Sequence, residues 1–184
     1  MEDNNIKDIN DLEIIDEEKP NKFRKVIIIL IAIFLIILLI TYLLTNSLIR
    51  NIFVGLVESS KVNDNIVNIN SMNKLIFQNS TYDELLNIYD NNIEKEFKVC
   101  LKGNIENKDY YINSIYIPKT FLQTSNRVVS EYCGNDTIVD MHSHPLKHCL
   151  PSEQDFQSFS LFKQINNNAI MAVMCERGRF NFYI

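Results

Sequence analysis

The residues of this chain with the clearest chemical potential lie in the segment MHSHPLKHCLPSEQD, residues 141–155. His142 and His144 are separated by one residue, and alternate side chains of a strand point to the same face, so both imidazoles can bind one ion. Ser152 and Asp155 follow at a point where the serine is a typical first residue of a helix. A strand end that faces this helix start would bring two ring nitrogens and one carboxylate together.

Two imidazoles and one carboxylate form a ligand set that suits Zn2+, which usually takes four ligands. Three protein ligands leave the fourth position for water, which is the arrangement of catalytic rather than structural zinc sites. The metal lowers the pKa of a bound water from about 15.7 toward about 7. The segment therefore predicts a catalytic zinc site whose metal ligands are His142, His144 and Asp155.

The same spacing has a known counterpart. His142-x-His144, seven residues, Ser152, two residues and Asp155 resembles the JAMM motif of the MPN+ metalloproteases, the family of the proteasome-lid and endosomal deubiquitinases and their prokaryotic relatives. The prolines that follow the second histidine and precede the serine also match residues common in that family. The resemblance covers residues 72–184. It implies a mixed α/β fold of the cytidine-deaminase-like type, with a β-rich sheet flanked by helices, and hydrolysis of peptide or isopeptide bonds.

The family also carries an upstream glutamate, on a strand with the pattern Glu-x-x-Gly-x-Leu-x-Gly. The segment EFKVCLKG supplies Glu96, Leu101 and Gly103 at matching positions, whereas Val99 replaces the first glycine. By resemblance, Glu96 is the general base that takes a proton from water and passes it to the leaving amine. Two other glutamates are alternatives for this role: Glu94 and Glu106.

Ser152 has two interpretations. By resemblance it is catalytic and donates a hydrogen bond to the oxyanion of the transition state. A serine at this position is also a typical N-cap, and Asp155 would then lie at N3, where helices favour a carboxylate. His148 and Cys149 lie between the histidine pair and the serine, and we interpret them as a solvated loop residue and a buried thiol rather than as metal ligands.

The elements that must position these residues follow from hydrophobic patterning. The pattern predicts that strands predominate, with a helix on either side of the motif region. The expected elements are a helix over 81–89, a strand over 97–101 that ends at Gly103 and Asn104, a returning strand over 110–117, a strand over 137–141, a helix over 151–163 and closing strands over 169–175 and 179–184.

A long apolar run precedes this domain. From residue 26 no charged residue occurs until Arg50, about 24 positions where about 20 suffice to cross a bilayer. We predict a transmembrane helix over 26–45, after a disordered acidic tail over 1–25 and before a juxtamembrane helix and linker over 46–71. A cleaved signal peptide would begin with a short basic segment, whereas this chain has a long acidic one.

Orientation follows from the basic residues that flank the apolar run, because Lys and Arg are retained on the cytoplasmic side. The flanking basic residues are Lys19, Lys22, Arg24 and Lys25 before the run and Arg50 and Lys61 after it. This bias predicts a cytoplasmic N-terminus and a domain outside. The glycosylation sequons at Asn79 and Asn135 would be usable there, and a Cys100–Cys149 disulfide is conceivable.

Composition narrows the class of function. The 184 residues carry 18 Lys and Arg against 23 Asp and Glu, a formal net charge of −5, which argues against a nucleic-acid partner. The prediction is a membrane-anchored zinc metallohydrolase acting on a protein or peptide, by resemblance the tail of a ubiquitin-like modifier. The alternatives are a membrane-tethered MPN-type interaction module without catalysis and a zinc enzyme with another hydrolytic use.

Overall fold

Eight strands form one sheet in a computed structural model, which describes residues 22–184. The chain is mixed α/β, as predicted, with four α-helices in this range. The elements are α1 Lys22–Thr45, α2 Ser47–Glu58, β1 Ser60–Lys61, β2 Ile66–Asn68, β3 Lys74–Phe77, α3 Thr81–Asp90, β4 Lys98–Glu106, β5 Asp109–Tyr116, β6 Thr120–Gln123, β7 Val128–Ser130, β8 Thr137–Ser143, a 3-10 turn Pro145–Lys147, α4 Glu153–Ile165, β9 Ile170–Glu176 and β10 Arg179–Tyr183.

The chain divides into two compact units after Leu43. The described part of the first unit belongs to α1, whose side chains are all exposed and which has the length and composition of a membrane span or of a signal sequence. The helix begins at Lys22, so the prediction of disorder is wrong for residues 22–25. The remainder of the predicted tail, residues 1–21, lies outside the described residues.

The sheet of the second unit has the order β1-β10-β9-β8-β4-β5-β3-β2. The β8–β9 and β3–β5 pairs are parallel and the other pairs are antiparallel. Leu85 of α3 belongs to a core with Val99 and Val139, whereas Phe159 and Phe162 of α4 belong to a second core. The two helices bury different core faces, which explains why β8 is buried at every position instead of alternating.

Most predicted elements are present, and the largest error in a strand boundary is in β4. The strand was expected to end at Gly103, but it continues to Glu106 through a register shift between Lys102 and Gly103. A Cβ at Gly103 would overlap the backbone carbonyl oxygen of Tyr111. The glycine therefore allows close approach of the neighbouring strand rather than ending its own.

The segment assigned to a helix and linker contributes to the sheet. Within residues 46–71, α2 is present, and the Asn-rich part forms β1 and β2, which pair with β10 and β3. The turn between them places Asp64 and Asn65 at positive φ, a conformation that Asp and Asn tolerate better than most residues. The β6–β7 hairpin, which forms a separate two-stranded sheet, was also absent from the prediction.

All four cysteines form disulfides, and the pairing differs from the one considered. Cys100 bonds to Cys133, and Cys149 bonds to Cys175, so a Cys100–Cys149 bond is wrong. Cys100 lies in the core with Phe159 and Phe162, and the chain before β8 returns Cys133 to that core. Sequence spacing could not distinguish these pairings, because they depend on which loops the sheet brings back together.

Each disulfide is expected to stabilise the fold by restricting the unfolded chain. The bonded cysteines are 33 and 26 residues apart, which corresponds to about 3–4 kcal/mol per bond in the loop-entropy relation. We expect the Cys100→Ser, Cys133→Ser double variant to lower Tm by about 7–14 °C. Calorimetry of the variant under non-reducing conditions checks this. A variant Tm equal to that of the oxidised native chain would contradict it.

Candidate metal centre

The two histidines of the centre come from the end of the central strand β8. His142 is on the strand and His144 follows it, and their Nε2 atoms lie 3.1 Å apart. Both residues are buried, at 7% and 6% exposure. The two-residue period therefore brings the imidazoles together, as the spacing predicted.

The carboxylate comes from the first turn of α4. Ser152 is the N-cap, and its Oγ accepts a hydrogen bond of 3.2 Å from the Asp155 backbone N–H. In return the Ser152 backbone N–H donates to Asp155 Oδ2 at 2.7 Å, which completes a capping box. The same Oδ2 lies 3.5 Å from Nε2 of both histidines. The capping geometry thus aims the carboxylate at the imidazoles.

The spacing of the three donor atoms suits a tetrahedral ion. Ligand atoms 2.0–2.1 Å from a tetrahedral zinc are separated by about 3.3–3.4 Å. In this chain the separations among His142 Nε2, His144 Nε2 and Asp155 Oδ2 are 3.1, 3.5 and 3.5 Å. These residues also form a group of the kind that holds a metal. The residues present therefore fit a zinc ion.

The loop after β8 orients one imidazole. His144 Nδ1 lies 3.0 Å from the backbone carbonyl oxygen of His148, so this nitrogen is protonated and donates. In the neutral imidazole, this tautomer leaves Nε2 unprotonated on the side that faces Asp155. Histidines that bind metals are commonly oriented in this way by a backbone carbonyl. His148 thus contributes its carbonyl, and the sulfur of Cys149 is used in a disulfide.

Glu96 lies directly beside the histidines. Its side chain is mostly buried, and Oε1 is 3.8 Å from His144 Nε2. The Glu96 backbone N–H donates to the Thr124 carbonyl at 2.8 Å, and the Val128 backbone N–H donates to the Glu96 carboxylate. Both partners belong to the β6–β7 hairpin, which therefore positions this carboxylate. The two glutamates considered as alternatives are exposed on other segments: Glu94 and Glu106.

Burial and charge shift the ionisation of these groups in opposite directions. Burial raises the pKa of Glu96 above its ordinary value, although the charges of His144 and His142 counteract it. Burial would also raise the pKa of Asp155, but the two imidazoles and Ser152 hold it well below its usual range. For His144, burial lowers the pKa, but the hydrogen bond to Asp155 and the charge of Glu96 outweigh burial and raise it. The low pKa favours the ionised form of Asp155.

These residues open onto one cavity of about 350 Å³. Glu96, His144, Ser152 and Asp155 lie in its wall, with Ile52 of α2. The tip of the β6–β7 hairpin, residues 125–128, also lines the cavity. A peptide-sized group can therefore reach the carboxylates of Glu96 and Asp155 and the imidazole of His144 together.

Part of the chain is similar to a known protein. No family model matches the chain. A region of 124 residues is 27% identical to a protein described as a probable ubiquitin thioesterase of Dictyostelium discoideum, and the match covers 61% of this chain. The matched region is 17% of the length of that relative, so the chain corresponds to a small part of it.

The structure brings together the five site residues predicted from the sequence, which are Glu96, His142, His144, Ser152 and Asp155. Sequence patterns did not predict other residues that line the cavity. Ile52 and the hairpin residues 125–128 line the cavity, but neither carries a motif. The hairpin residues have no sequence signal. Ile52 has a weak one, because it lies in a mixed apolar and polar stretch that predicts a continued helix but no part in a site. Their place in the wall depends on contacts between segments far apart in the chain.

Metal affinity is expected to fall in acid, because a protonated imidazole cannot bind the ion. The pKa of His144 is raised, so protons compete with the metal for this imidazole at higher pH than they would for an ordinary histidine. Below that pKa, each further pH unit should weaken zinc binding by about tenfold through His144 alone. Competition with a chromophoric chelator from pH 8 to pH 5 measures this. An affinity that does not change over that range would contradict it.

Proposed function

We propose that this chain is a membrane-anchored zinc metallohydrolase of the MPN+ type that cleaves peptide or isopeptide bonds. The observation that carries the proposal is the group formed by His142, His144 and Asp155 with Glu96 at its side. Of these residues, Glu96, His144 and Asp155 line one cavity. The ligand set of a catalytic zinc site and a carboxylate within reach of a zinc-bound group are the two requirements of this chemistry. The domain is the unit built on the eight-stranded sheet.

The three ligand residues would hold the ion through one ring nitrogen of each histidine and one oxygen of Asp155. When bound, Zn2+ acts as a Lewis acid that polarises the scissile carbonyl and acidifies a water. Only one of the three ligands carries a charge, which keeps the ion electrophilic. Asp155 is well suited to this place, because its pKa is held low and the carboxylate stays ionised.

Glu96 is proposed as the general base and then the general acid. Its burial raises its pKa toward the working pH, which suits a group that must both accept and release a proton. Its Oε1 is 3.8 Å from His144 Nε2, so the carboxylate would lie close to an ion held by the three ligand residues. The carboxylate takes a proton from the attacking water and gives it to the leaving amine.

Ser152 is proposed to stabilise the transition state as well as to cap α4. Its side chain lines the cavity, and its Oγ lies 2.7 Å from Asp155 Oδ2. This hydroxyl has one proton, which it donates to Asp155 Oδ2 here. We propose that it turns from Asp155 and donates to the carbonyl oxygen of the substrate as charge develops there.

Removing this hydroxyl is expected to lower kcat by about 10²–10³-fold. The Ser152→Ala variant also loses the N-cap, which costs about 1 kcal/mol of stability. Ser152→Thr keeps a hydroxyl and a cap and serves as the matched control. Steady-state kinetics and Tm are measured for both variants. A Ser152→Ala variant that is less stable but fully active would limit Ser152 to capping.

The substrate is proposed to be a ubiquitin-like modifier or a short peptide. The relative described as a probable ubiquitin thioesterase supports a hydrolase that acts on ubiquitin-like proteins. The cavity of about 350 Å³ holds an extended tail rather than a folded domain. The substrate chain would therefore enter as an extended segment, with its scissile carbonyl near the ion.

The domain is proposed to lie outside the cytoplasm, with α1 as the anchor. The bias of basic residues around α1 supports this orientation. Two disulfides support it independently, because such bonds persist in oxidising compartments and are rare in the cytosol. Protease digestion of sealed cells is expected to remove the domain, and its protection until the membrane is opened would reverse the orientation.

The function is tested on the full chain in lipid nanodiscs, supplied with zinc. Two substrates are compared, a linear fusion to a ubiquitin-like modifier and an isopeptide-linked modifier. We expect zinc-dependent cleavage of at least one, lost on chelation and restored by added zinc. A chain that binds zinc but cleaves neither would reject this peptidase activity, and a chain that binds no zinc would favour the tethered interaction module.

A further inference from the structure

The helix α2 has two unlike faces. One face packs on the domain, where Gly55 is buried and a Cβ there would come within 2.8 Å of the Cys149 Cβ. Ile52 and Leu56 lie on the same side and are half-buried. This face seats the helix against the loop that follows the histidine pair, so α2 is a fixed part of the unit that holds the metal centre.

The other face is apolar and uncovered within the described part of the chain. Ile49, Phe53 and Val57 are spaced four residues apart and form one stripe along the helix. Phe53 is 70% exposed and Val57 is 71% exposed, although both side chains are large and apolar. Arg50 is exposed beside the stripe. A row of this kind marks an interaction surface rather than a solvated face.

Chain connectivity indicates what covers the stripe. α1 ends at Thr45 and α2 begins at Ser47, so the backbone keeps the start of α2 within about 8 Å of the end of α1. If α1 crosses the bilayer, as the proposed function holds, α2 begins at the membrane surface. The nearest apolar phase is then the lipid, and a helix with an apolar stripe and an adjacent arginine is typical of the interface.

We propose that the stripe of α2 lies in the interfacial layer of the bilayer, with its apolar side chains about 5–10 Å deep and Arg50 at the level of the lipid phosphates. This inference rests on the proposed anchoring by α1. It also deepens the substrate assignment. Ile52, on the packed side of α2, lines the cavity, so that wall lies about one helix diameter, roughly 10 Å, from the lipid. The preferred substrates are therefore membrane-attached proteins cleaved close to the bilayer surface.

The chain has no tryptophan, so a single introduced tryptophan reports its own surroundings. Three variants of the full chain are reconstituted in vesicles that contain brominated phosphatidylcholine. Phe53→Trp probes the stripe, Phe34→Trp probes α1, and Phe121→Trp is a control on β6 at an exposed position of similar solvent exposure, 62%. Bromine placed near the headgroup quenches shallow tryptophans, and bromine at the chain end quenches deep ones.

We expect quenching of Phe53→Trp by shallow bromine, quenching of Phe34→Trp by deep bromine and no quenching of Phe121→Trp. Quenching at position 34 without quenching at position 53 overturns the interfacial helix and leaves the anchor intact. No quenching at position 34 overturns the anchor and the inference with it. An emission at position 53 that shifts with protein concentration but is not quenched assigns the stripe to a second copy and overturns the inference.

A functional readout tests the substrate class. The Phe53→Asp, Val57→Asp double variant changes only exposed side chains outside the cavity wall. It should cleave a soluble peptide as the native chain does, but cleave a substrate anchored in the same vesicle about tenfold more slowly, since alignment at the surface is lost. If the variant and the native chain cleave the anchored substrate at equal rates, the preference for membrane-attached substrates is contradicted.

Discussion

Replacing Glu96 with glutamine is expected to lower kcat by about 10²–10⁴-fold while the zinc content of the protein stays unchanged. Glutamine keeps the size of the side chain but cannot accept the proton of the attacking water. Glu96 lies beside the imidazoles and not among the three grouped ligands, so its loss should not release the ion. Steady-state kinetics and elemental analysis of the same preparation check both parts of the prediction.

Glu94 provides a matched control for this experiment. It lies two residues from Glu96 in the chain, but its side chain is exposed. The Glu94→Gln variant makes the same chemical change and should retain full activity. Native activity in the Glu96→Gln variant would assign the proton transfer to another group. Loss of zinc in that variant would instead make Glu96 a fourth ligand.

The second large effect is expected at His144. Removing its imidazole should lower zinc affinity by more than about 100-fold. Loss of a residue that only hydrogen-bonds to a metal ligand already lowers metal affinity by about 10–100-fold, and loss of the ligand itself should cost more. Activity should fall with the metal. In the structure, His144 Nε2 faces both His142 Nε2 and Asp155 Oδ2, so the His144→Ala variant removes one of three converging donors. Competition against a chelator of known affinity measures the loss.

His148 is the natural control for that loss. It is the third histidine of the chain, and its contribution to the centre is the backbone carbonyl that accepts from His144. The His148→Ala variant keeps this carbonyl, and we expect it to keep the zinc. Equal loss of metal in both variants would mean that the His148 ring also binds the ion. Native affinity in the His144→Ala variant would contradict the ligand set.

Local patterns predicted the parts of the site that depend on neighbouring residues. The spacing of His142 and His144 specifies a shared face of a strand, and the serine of the motif specifies a helix start, because these are properties of a few adjacent backbone positions. Both patterns are present as expected in β8 and α4. The choice of Glu96 over its alternatives came from a family resemblance, and the structure agrees that Glu96 is the buried one.

Patterns failed where a segment is defined by a distant partner. Gly103 resembles a strand end, yet β4 continues because Tyr111 of the next strand packs closely against it. Residues 60–61 and 66–68 are too short to signal strands by themselves. They become strands because the edges of the sheet provide hydrogen-bond partners. The β6–β7 hairpin, which holds Glu96, escaped notice for the same reason.

By itself, the amino-acid sequence determined which side chains can bind a metal, the strand and the helix that carry them, and an apolar segment near the N-terminus. The tertiary structure alone decided the distances among the donor atoms, the disulfide pairing and the cavity wall. Short-range preferences act over a few residues of backbone, whereas these features depend on segments far apart in the chain. Their contacts form only when the sheet is assembled and the two cores are buried.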